Sequence, residues 1–207
     1  MLKLFFSSAS PFVRKVMVAA IERGVDDRIE FLAAAASPIK RDQNIVAHNP
    51  TGKVPTAILP DGRAIFDSRV ICQYVDVMAG GGVLYPQGES YFDVLTLEAL
   101  ADGLLDAAIL LRYETMTRPE ALRWPEWMQG QSDKIDSCLA ALEDGAFADR
   151  GGAFHAGAIA VACALGYLDL RFAARNWRAG APKLAAWFEE VSQRPSLQRT
   201  VPVPPKA

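Results

Sequence analysis

Cysteine is scarce in this chain of 207 residues. Only Cys72, Cys138 and Cys163 occur, an odd number at wide spacings with no Cys-x-x-Cys, which argues against a disulfide framework and a thiolate zinc site. The three read as small buried hydrophobes on helices, and a reducing cytoplasm suits them. Histidine is scarcer: His48 and His155 are far apart and have no ligand partners at metal spacing, so no metal is expected. Charge of one sign is also missing. The formal net charge is −2 and no run of like charges stands out, so there is no electrostatic reason to expect a nucleic acid or an anionic membrane as partner. The longest apolar stretch, Ala156–Leu168, falls short of the ~20 residues of a membrane span. The opening Met1-Leu2-Lys3-Leu4-Phe5-Phe6 is too short for a signal peptide and reads as a strand.

Hydrophobic residues, by contrast, make up 51% of the chain, enough for a core without staples in one large domain or two small ones. The first eighty residues alternate strand and helix signals. Leu2–Phe6 is followed by apolar residues at Val13, Val16, Met17, Ala20 and Ile21, the spacing of one helical face, with Arg14, Lys15, Glu22 and Arg23 mostly falling away from it. Gly24 is a natural stop. Arg28–Leu32 is a second strand, and residues 33–48 carry mixed helix and turn signals. Val54–Leu59 and Arg63–Phe66, joined by Pro60-Asp61-Gly62, read as antiparallel neighbours. Asp67-Ser68 then opens a helix carrying Ile71, Tyr74, Val75 and Met78.

Gly80-Gly81-Gly82 breaks the pattern, and Ala79–Gly88 reads as a linker. Everything beyond is helical in character. Val94, Leu97, Ala101, Leu104, Ala108 and Leu111 trace one face of a long helix, with Asp102, Asp106 and Tyr113 on another. Further helices are predicted over Gln131–Leu142, Ala156–Phe172 (buried on all sides) and Pro182–Gln193, the last burying Leu184, Trp187, Phe188 and Val191. Trp124 and Trp127 could shape a pocket, but buried structural aromatics are the commoner case and the reading taken. The tail Val201–Ala207 holds three prolines and cannot be helical.

Three pieces of the first half can carry chemistry. Ser10-Pro11 stands at a helix start, where unpaired N–H groups favour an anion and the hydroxyl adds a donor. Asn49-Pro50-Thr51-Gly52-Lys53-Val54-Pro55 holds a proline before a strand. If the Val54–Pro55 bond is cis, Val54 turns its backbone outward to pair with an extended peptide. Phe66-Asp67-Ser68 offers a second helix start with donors, a hydroxyl and a carboxylate. Each alone is a weak signal, and the Ser10 and Asp67-Ser68 pieces are as well explained by capping.

Together, Ser-Pro-Phe-Val-Arg-Lys-Val, Asn-Pro-Thr-Gly-Lys-Val-Pro and Asp-Ser-Arg-Val-Ile-Cys-Gln-Tyr-Val-Asp resemble the glutathione transferase family, in order and spacing, over nearly the whole chain. The Ser-Pro-Phe form is similar to the serine-type branches, such as zeta and tau, and a bacterial serine-type member is the best placement. The resemblance implies a thioredoxin-like domain over 1–79, a linker over 80–88 and an all-helical domain over 89–207. Glutathione, as co-substrate, lies in the groove of the first domain. Ser10 hydrogen-bonds its sulfur, Val54 pairs with its backbone before a cis Pro55, Asp67 and Ser68 hold its γ-glutamyl end, and Lys53 reaches a carboxylate. The electrophile pocket between the domains is expected to be lined by Phe12, Asp106, Leu110 and Tyr113. A homodimer is implied too, as is a role in detoxification.

The implied reaction is attack of the thiolate on a small apolar electrophile. Isomerisation, dehalogenation, peroxide reduction and a non-enzymatic binding role are the alternatives within the same fold. Ser7 and Ser8 rival Ser10, which alone directly precedes Pro-Phe. Cys72 lies inside the third helix and is expected to be buried. Family branches that reduce mixed disulfides carry a cysteine near the Ser10 position, and none stands here. One departure concerns the central helix of the second half. The family's Ser/Thr-x-x-Asp capping box is replaced by His155-Ala156-Gly157-Ala158, so His155 or nearby backbone is expected to supply the cap.

Overall fold

The computed structural model describes residues 1–146 and 154–203. Leu2–Phe6 forms β1, and Pro11–Glu22 forms α1, with proline in its first turn. A single 3₁₀ turn, Asp26–Arg28, precedes β2 (Ile29–Ala33), so the second strand starts one residue later than the apolar pattern suggests. The ambiguous stretch resolves into irregular chain and one short helix, α2 (Gln43–Val46), capped by the Asp42 carboxylate on the Asn44 N–H. The two strands expected next shrink to β3 (Ala57–Ile58) and β4 (Ala64–Ile65). Pro55 has no N–H to give to a ladder, and β3 begins only after it. α3 (Ser68–Met78) follows.

The sheet order is β2-β1-β3-β4. β1 and β2 are parallel, in register from Leu2↔Ile29 to Phe6↔Ala33. β3 runs antiparallel to both β1 (Leu4↔Ala57) and β4 (Ala57↔Ile65). This small mixed sheet with helices is the thioredoxin-like arrangement anticipated. It leads into a second half whose regular elements, among the described residues, are helices: α4 (Glu89–Thr117), α5 (Pro125–Ala141), α6 (Ala156–Arg171), α7 (Pro182–Val191) and α8 (Pro195–Gln198). α5 starts earlier than the periodicity indicates because Trp124-Pro125 opens it, proline taking the first helical position. Residues 201–203 carry no helix, and 204–207 lie outside the described residues.

α6 is the central helix, buried from Ala156 through Leu168. Its start is capped as expected: His155 Nδ1 accepts the Ala158 N–H at 3.3 Å. Gly157 lets α4 approach, since a Cβ there would lie 2.9 Å from the Val94 carbonyl oxygen. α1 packs against both α3 and α6, which corrects the expectation for its charged residues. With a helix on each side, Arg14 and Lys15 are buried, Lys15 to 1% exposure. Cys72 and Cys163 are buried free thiols, while Cys138 is only half-buried. On α7, Leu184 and Phe188 are buried but Trp187 and Val191 only partly so. Trp124 was expected inside and is 61% exposed. It stands at the very start of α5, ahead of the first inward-facing residue, Gln131.

The stretch between α3 and α4 is held by Asp76 and by Arg23, which donates to the Ala79 carbonyl at 2.8 Å. Asp76 accepts the Leu84 N–H at 3.2 Å and the Tyr85 N–H at 3.4 Å and pairs with Arg23. Gly80, Gly81 and Gly82 all take positive φ here, a conformation that glycine adopts without steric cost.

Candidate functional site

Strand register brings the three sequence pieces to one end of the sheet. β1 ends at Phe6, so the loop Ser7–Ser10 leaves from that edge. β3 is antiparallel to β1, and its entry carries Val54-Pro55 beside the same edge, with the Phe5 N–H donating to the Thr56 carbonyl at 2.9 Å. β4 is antiparallel to β3 and delivers Phe66-Asp67-Ser68 there as well.

Ser10 is the N-cap of α1. Its Oγ accepts the Val13 N–H at 3.3 Å, which uses a lone pair and leaves the hydroxyl proton to donate elsewhere. Ser8 differs: it is exposed, and its hydroxyl donates to the Val203 carbonyl at 3.4 Å. Phe12, one residue into α1, is half-buried, with its ring 5.8 Å from Lys15 Nζ.

The Val54–Pro55 bond is cis. Among the described residues neither the N–H nor the C=O of Val54 enters a backbone hydrogen bond. The loop before it is fixed internally: the Asn49 amide donates to Thr56 Oγ1 at 2.8 Å, and Thr56 in turn donates to the Lys53 carbonyl at 2.8 Å. The Lys53 side chain stays exposed.

Asp67 caps α3 by accepting the Arg69 N–H at 3.0 Å, and Arg69 also returns a guanidinium bond of 3.0 Å. Partial burial pulls the Asp67 carboxyl upward, but these bonds outweigh it and hold the group below its ordinary range. Ser68 is buried as the first residue of α3.

α4 closes the other side. Asp106, Leu110 and Tyr113 recur at the spacing of one helical face. Burial raises the Asp106 carboxyl, while the neighbouring charges of Lys53 and Arg69 pull it back down. That coupling brings this face of α4 within electrostatic reach of the 53 and 67–69 loops. Leu110 is 45% exposed although apolar. Tyr113 is half-buried, which raises its phenol pKa against the pull of Arg112.

Apolar periodicity gave no sign of the buried charge cluster beneath this end. Lys15 Nζ donates to Asp102 at 2.8 and 2.9 Å and lies 3.1 Å from Glu98. The Tyr85 hydroxyl faces both Glu98 oxygens at 3.2 Å. Arg69 Nε approaches Asp102 at 3.6 Å, joining the cluster to the Asp67 cap. Burial raises the Asp102 pKa to about 6, with Lys15 the strongest opposing influence. The available signal was Glu98 and Asp102, four apart on α4 and flanked by inward-facing leucines.

Among the described residues no group of three or more histidine, cysteine or carboxylate side chains could hold a metal, and no single helix is long and apolar enough to cross a membrane.

Comparison with known proteins gives a consistent result. The sequence model described as glutathione S-transferase, N-terminal domain, matches residues 9–78, and that described as glutathione S-transferase, C-terminal domain, matches 125–190. An uncharacterized GST-like protein of Escherichia coli K12, YibF, is 34% identical, with the alignment covering 100% of both chains. A glutathione transferase family member of Pseudomonas fluorescens Pf-5, solved with bound glutathione, is 45% identical over 99% of this chain and 100% of its own, with a TM-score of 0.95. A family member from the same organism, solved with S-(propanoic acid)-glutathione, is again 45% identical over 99% of this chain and 100% of its own, with a TM-score of 0.91.

Proposed function

Because the chain belongs to the glutathione S-transferase family, we propose that it is a glutathione transferase that ionises the glutathione thiol for attack on a small electrophile with an apolar reacting part. One observation carries the reading. The Ser10 cap, the unpaired backbone of Val54 and the Asp67-Ser68 helix start share one end of the sheet, opposite the Asp106–Leu110–Tyr113 face of α4. The glutathione-bound and conjugate-bound relatives support it.

In this reading residues 1–79 bind glutathione, 80–88 link, and 89–207 complete the electrophile pocket. Val54 and Pro55 pair with the tripeptide backbone. Asp67 takes its amine, the N–H groups and hydroxyl at Ser68 take its γ-glutamyl carboxylate, and Lys53 takes the other carboxylate. A free thiol has a pKa near ~8.5 and is mostly protonated at neutral pH. The Ser10 hydroxyl and the positive end of α1 both favour the charged sulfur, and each unit of depression is worth ~1.4 kcal/mol. Ser10 forms no covalent bond. The thiol proton goes to solvent, and sulfur bonds to the electrophilic carbon, displacing a leaving group or adding to a polarised double bond. Phe12 and Leu110 seat the apolar part, between Asp106 and Tyr113.

The protein acts as a homodimer in this reading. Val70 and Val77 lie on one exposed face of α3, and Phe66 and Phe92 stand exposed just before α3 and in the first turn of α4. Together they offer apolar surface to a second copy. The free thiols suit the cytoplasm.

Titration calorimetry with glutathione and conjugation kinetics test the proposal on wild type, Ser10→Ala and Ser8→Ala. A hydrogen bond to a charged group is worth about 1.5–3 kcal/mol. Ser10→Ala is therefore expected to lose roughly ten- to hundredfold in kcat/KM, far more than in glutathione affinity, with Ser8→Ala much less affected. Absence of glutathione binding, or full activity in Ser10→Ala, overturns it.

A further inference from the structure

Next to Tyr113 two positive charges, Arg112 and Arg171, come together with no counter-ion among the described residues. Arg112 lies two turns past the buried Leu105 on α4, and Arg171 ends α6 one turn past Tyr167. α4 packs along α6, and Gly157 meets Val94 and Leu97 near their starts. At about 1.5 Å per residue, Arg171 stands ~21 Å beyond that contact, and Arg112 ~22–27 Å. The two guanidiniums thus come level, and their fields overlap. Burial first, and Arg112 second, depress the Arg171 guanidinium. Burial pushes the Tyr167 phenol up to about 12, so it stays a proton donor, while Arg112 and Arg171 pull the other way.

Neither guanidinium has a hydrogen bond or ion pair among the described residues, and Arg171 Nε is buried without a partner. The nearest acids in sequence are committed elsewhere. Glu114 binds Arg118 at 2.7 Å, and Asp169 binds Arg178 at 2.6 and 2.7 Å. The cluster also lies in the part of α6 that α1 reaches. Arg14 of α1 packs so closely on Gly166 that a Cβ there would lie 2.2 Å from its NH1. That contact sets the Ser10 end of α1 beside the last turns of α6. Two like charges kept together and unpaired among the described residues make a receptor for an anion. Planar guanidiniums match a carboxylate with paired N–H donors, and the phenols of Tyr113 and Tyr167 add two more.

We infer that Arg112 and Arg171 form a carboxylate subsite, so that the electrophile joined to glutathione carries an acid group at the end remote from its reacting carbon. The inference rests on the glutathione reading and names the substrate class for that site.

Calorimetry with ready-made conjugates tests it without turnover. The probes are glutathione, then S-(2-carboxyethyl)- and S-(4-carboxybenzyl)glutathione, each against its neutral carboxamide. Wild type is expected to bind at least one acid about tenfold more tightly than the matching amide. Arg112→Gln and Arg171→Gln should each remove most of that preference, and Arg171→Lys, which keeps the charge but not the fork, should retain part of it. Glutathione titrated into the same variants reports whether fold and groove survive. If glutathione binds but wild type prefers neither acid, or the glutamine variants keep the preference, the subsite is refuted and the glutathione reading stands. If wild type does not bind glutathione at all, both fall.

Discussion

Replacing Lys15 by methionine removes the one ammonium group shared by two buried carboxylates while keeping most of the side-chain volume. Lys15, Glu98 and Asp102 are respectively 1%, 0% and 6% exposed, so water cannot substitute for the lost charge. Breaking a buried pair by removing one partner costs about 3–5 kcal/mol. Among the described residues Glu98 keeps the Tyr85 hydroxyl, whereas Asp102 keeps only Arg69 at 3.6 Å, so the penalty falls mainly on Asp102. Its native pKa is already up at about 6 with Lys15 present and rises further without it. A carboxyl whose native pKa exceeds its unfolded value of ~3.9 binds its proton more tightly when folded, so stability falls as pH rises through the window between the two values. The variant can shed most of its penalty near pH ~5 by protonating Asp102, but at pH ~8 it bears the full cost. Urea unfolding followed by tryptophan fluorescence at both pH values measures this. The expected result is a loss of about 3–5 kcal/mol at the higher pH, clearly smaller at the lower, and largely recovered by adding Asp102→Asn. A loss under ~1 kcal/mol, or one indifferent to pH, refutes the reasoning.

Gly166→Ala forces a Cβ into the Arg14 guanidinium and should destabilise by about 1–3 kcal/mol. Gly103→Ala on α4, with nothing within 4 Å, should gain up to ~1 kcal/mol, so the two should move thermal midpoints in opposite directions. His155→Ala loses the cap on the Ala158 N–H and should cost about 1 kcal/mol by urea unfolding, with His155→Asp recovering it. Glu22 is pulled upward by partial burial, but Arg194 and Ser196 overcome this and hold it below the usual carboxylate range. Its contribution is therefore present above its unfolded pKa and lost as pH falls through the native one. Glu22→Gln should be less stable than wild type at neutral pH, and acid titration of both proteins should show the difference closing below pH ~4.

What the sequence makes legible follows from how local each signal is. Proline at the start of α1, the hydroxyl before it and Gly24 after it act within one turn, and that helix was read nearly to the residue. The three groove motifs are local too, and the antiparallel pairing of 57–58 with 64–65 was foreseen. Long-range partnership was not. Lys15 looked like a solvent-facing charge because its neighbours in the chain say nothing about α4, which supplies Glu98 and Asp102 from more than eighty positions later. The same holds for Arg14, which meets the Leu197 carbonyl and Thr200. Trp124 was misplaced for a different reason. Aromatic character indicates burial on average, but a residue just ahead of the first turn of a helix need not face the core. Asp102, Asp106 and Tyr113 were read as one face of α4, and the charges of Lys53 and Arg69 do reach Asp106.

The grip of residues 194–200 on α1 bears on how the protein folds. Glu22 is held by Arg194 and Ser196, Asp26 pairs with Arg199, and Arg14 binds Thr200. More than 170 positions separate these partners in sequence. Contacts so remote close large loops and form slowly, so the helix that presents Ser10 acquires its outer layer late in folding, after the nearer contacts of the groove.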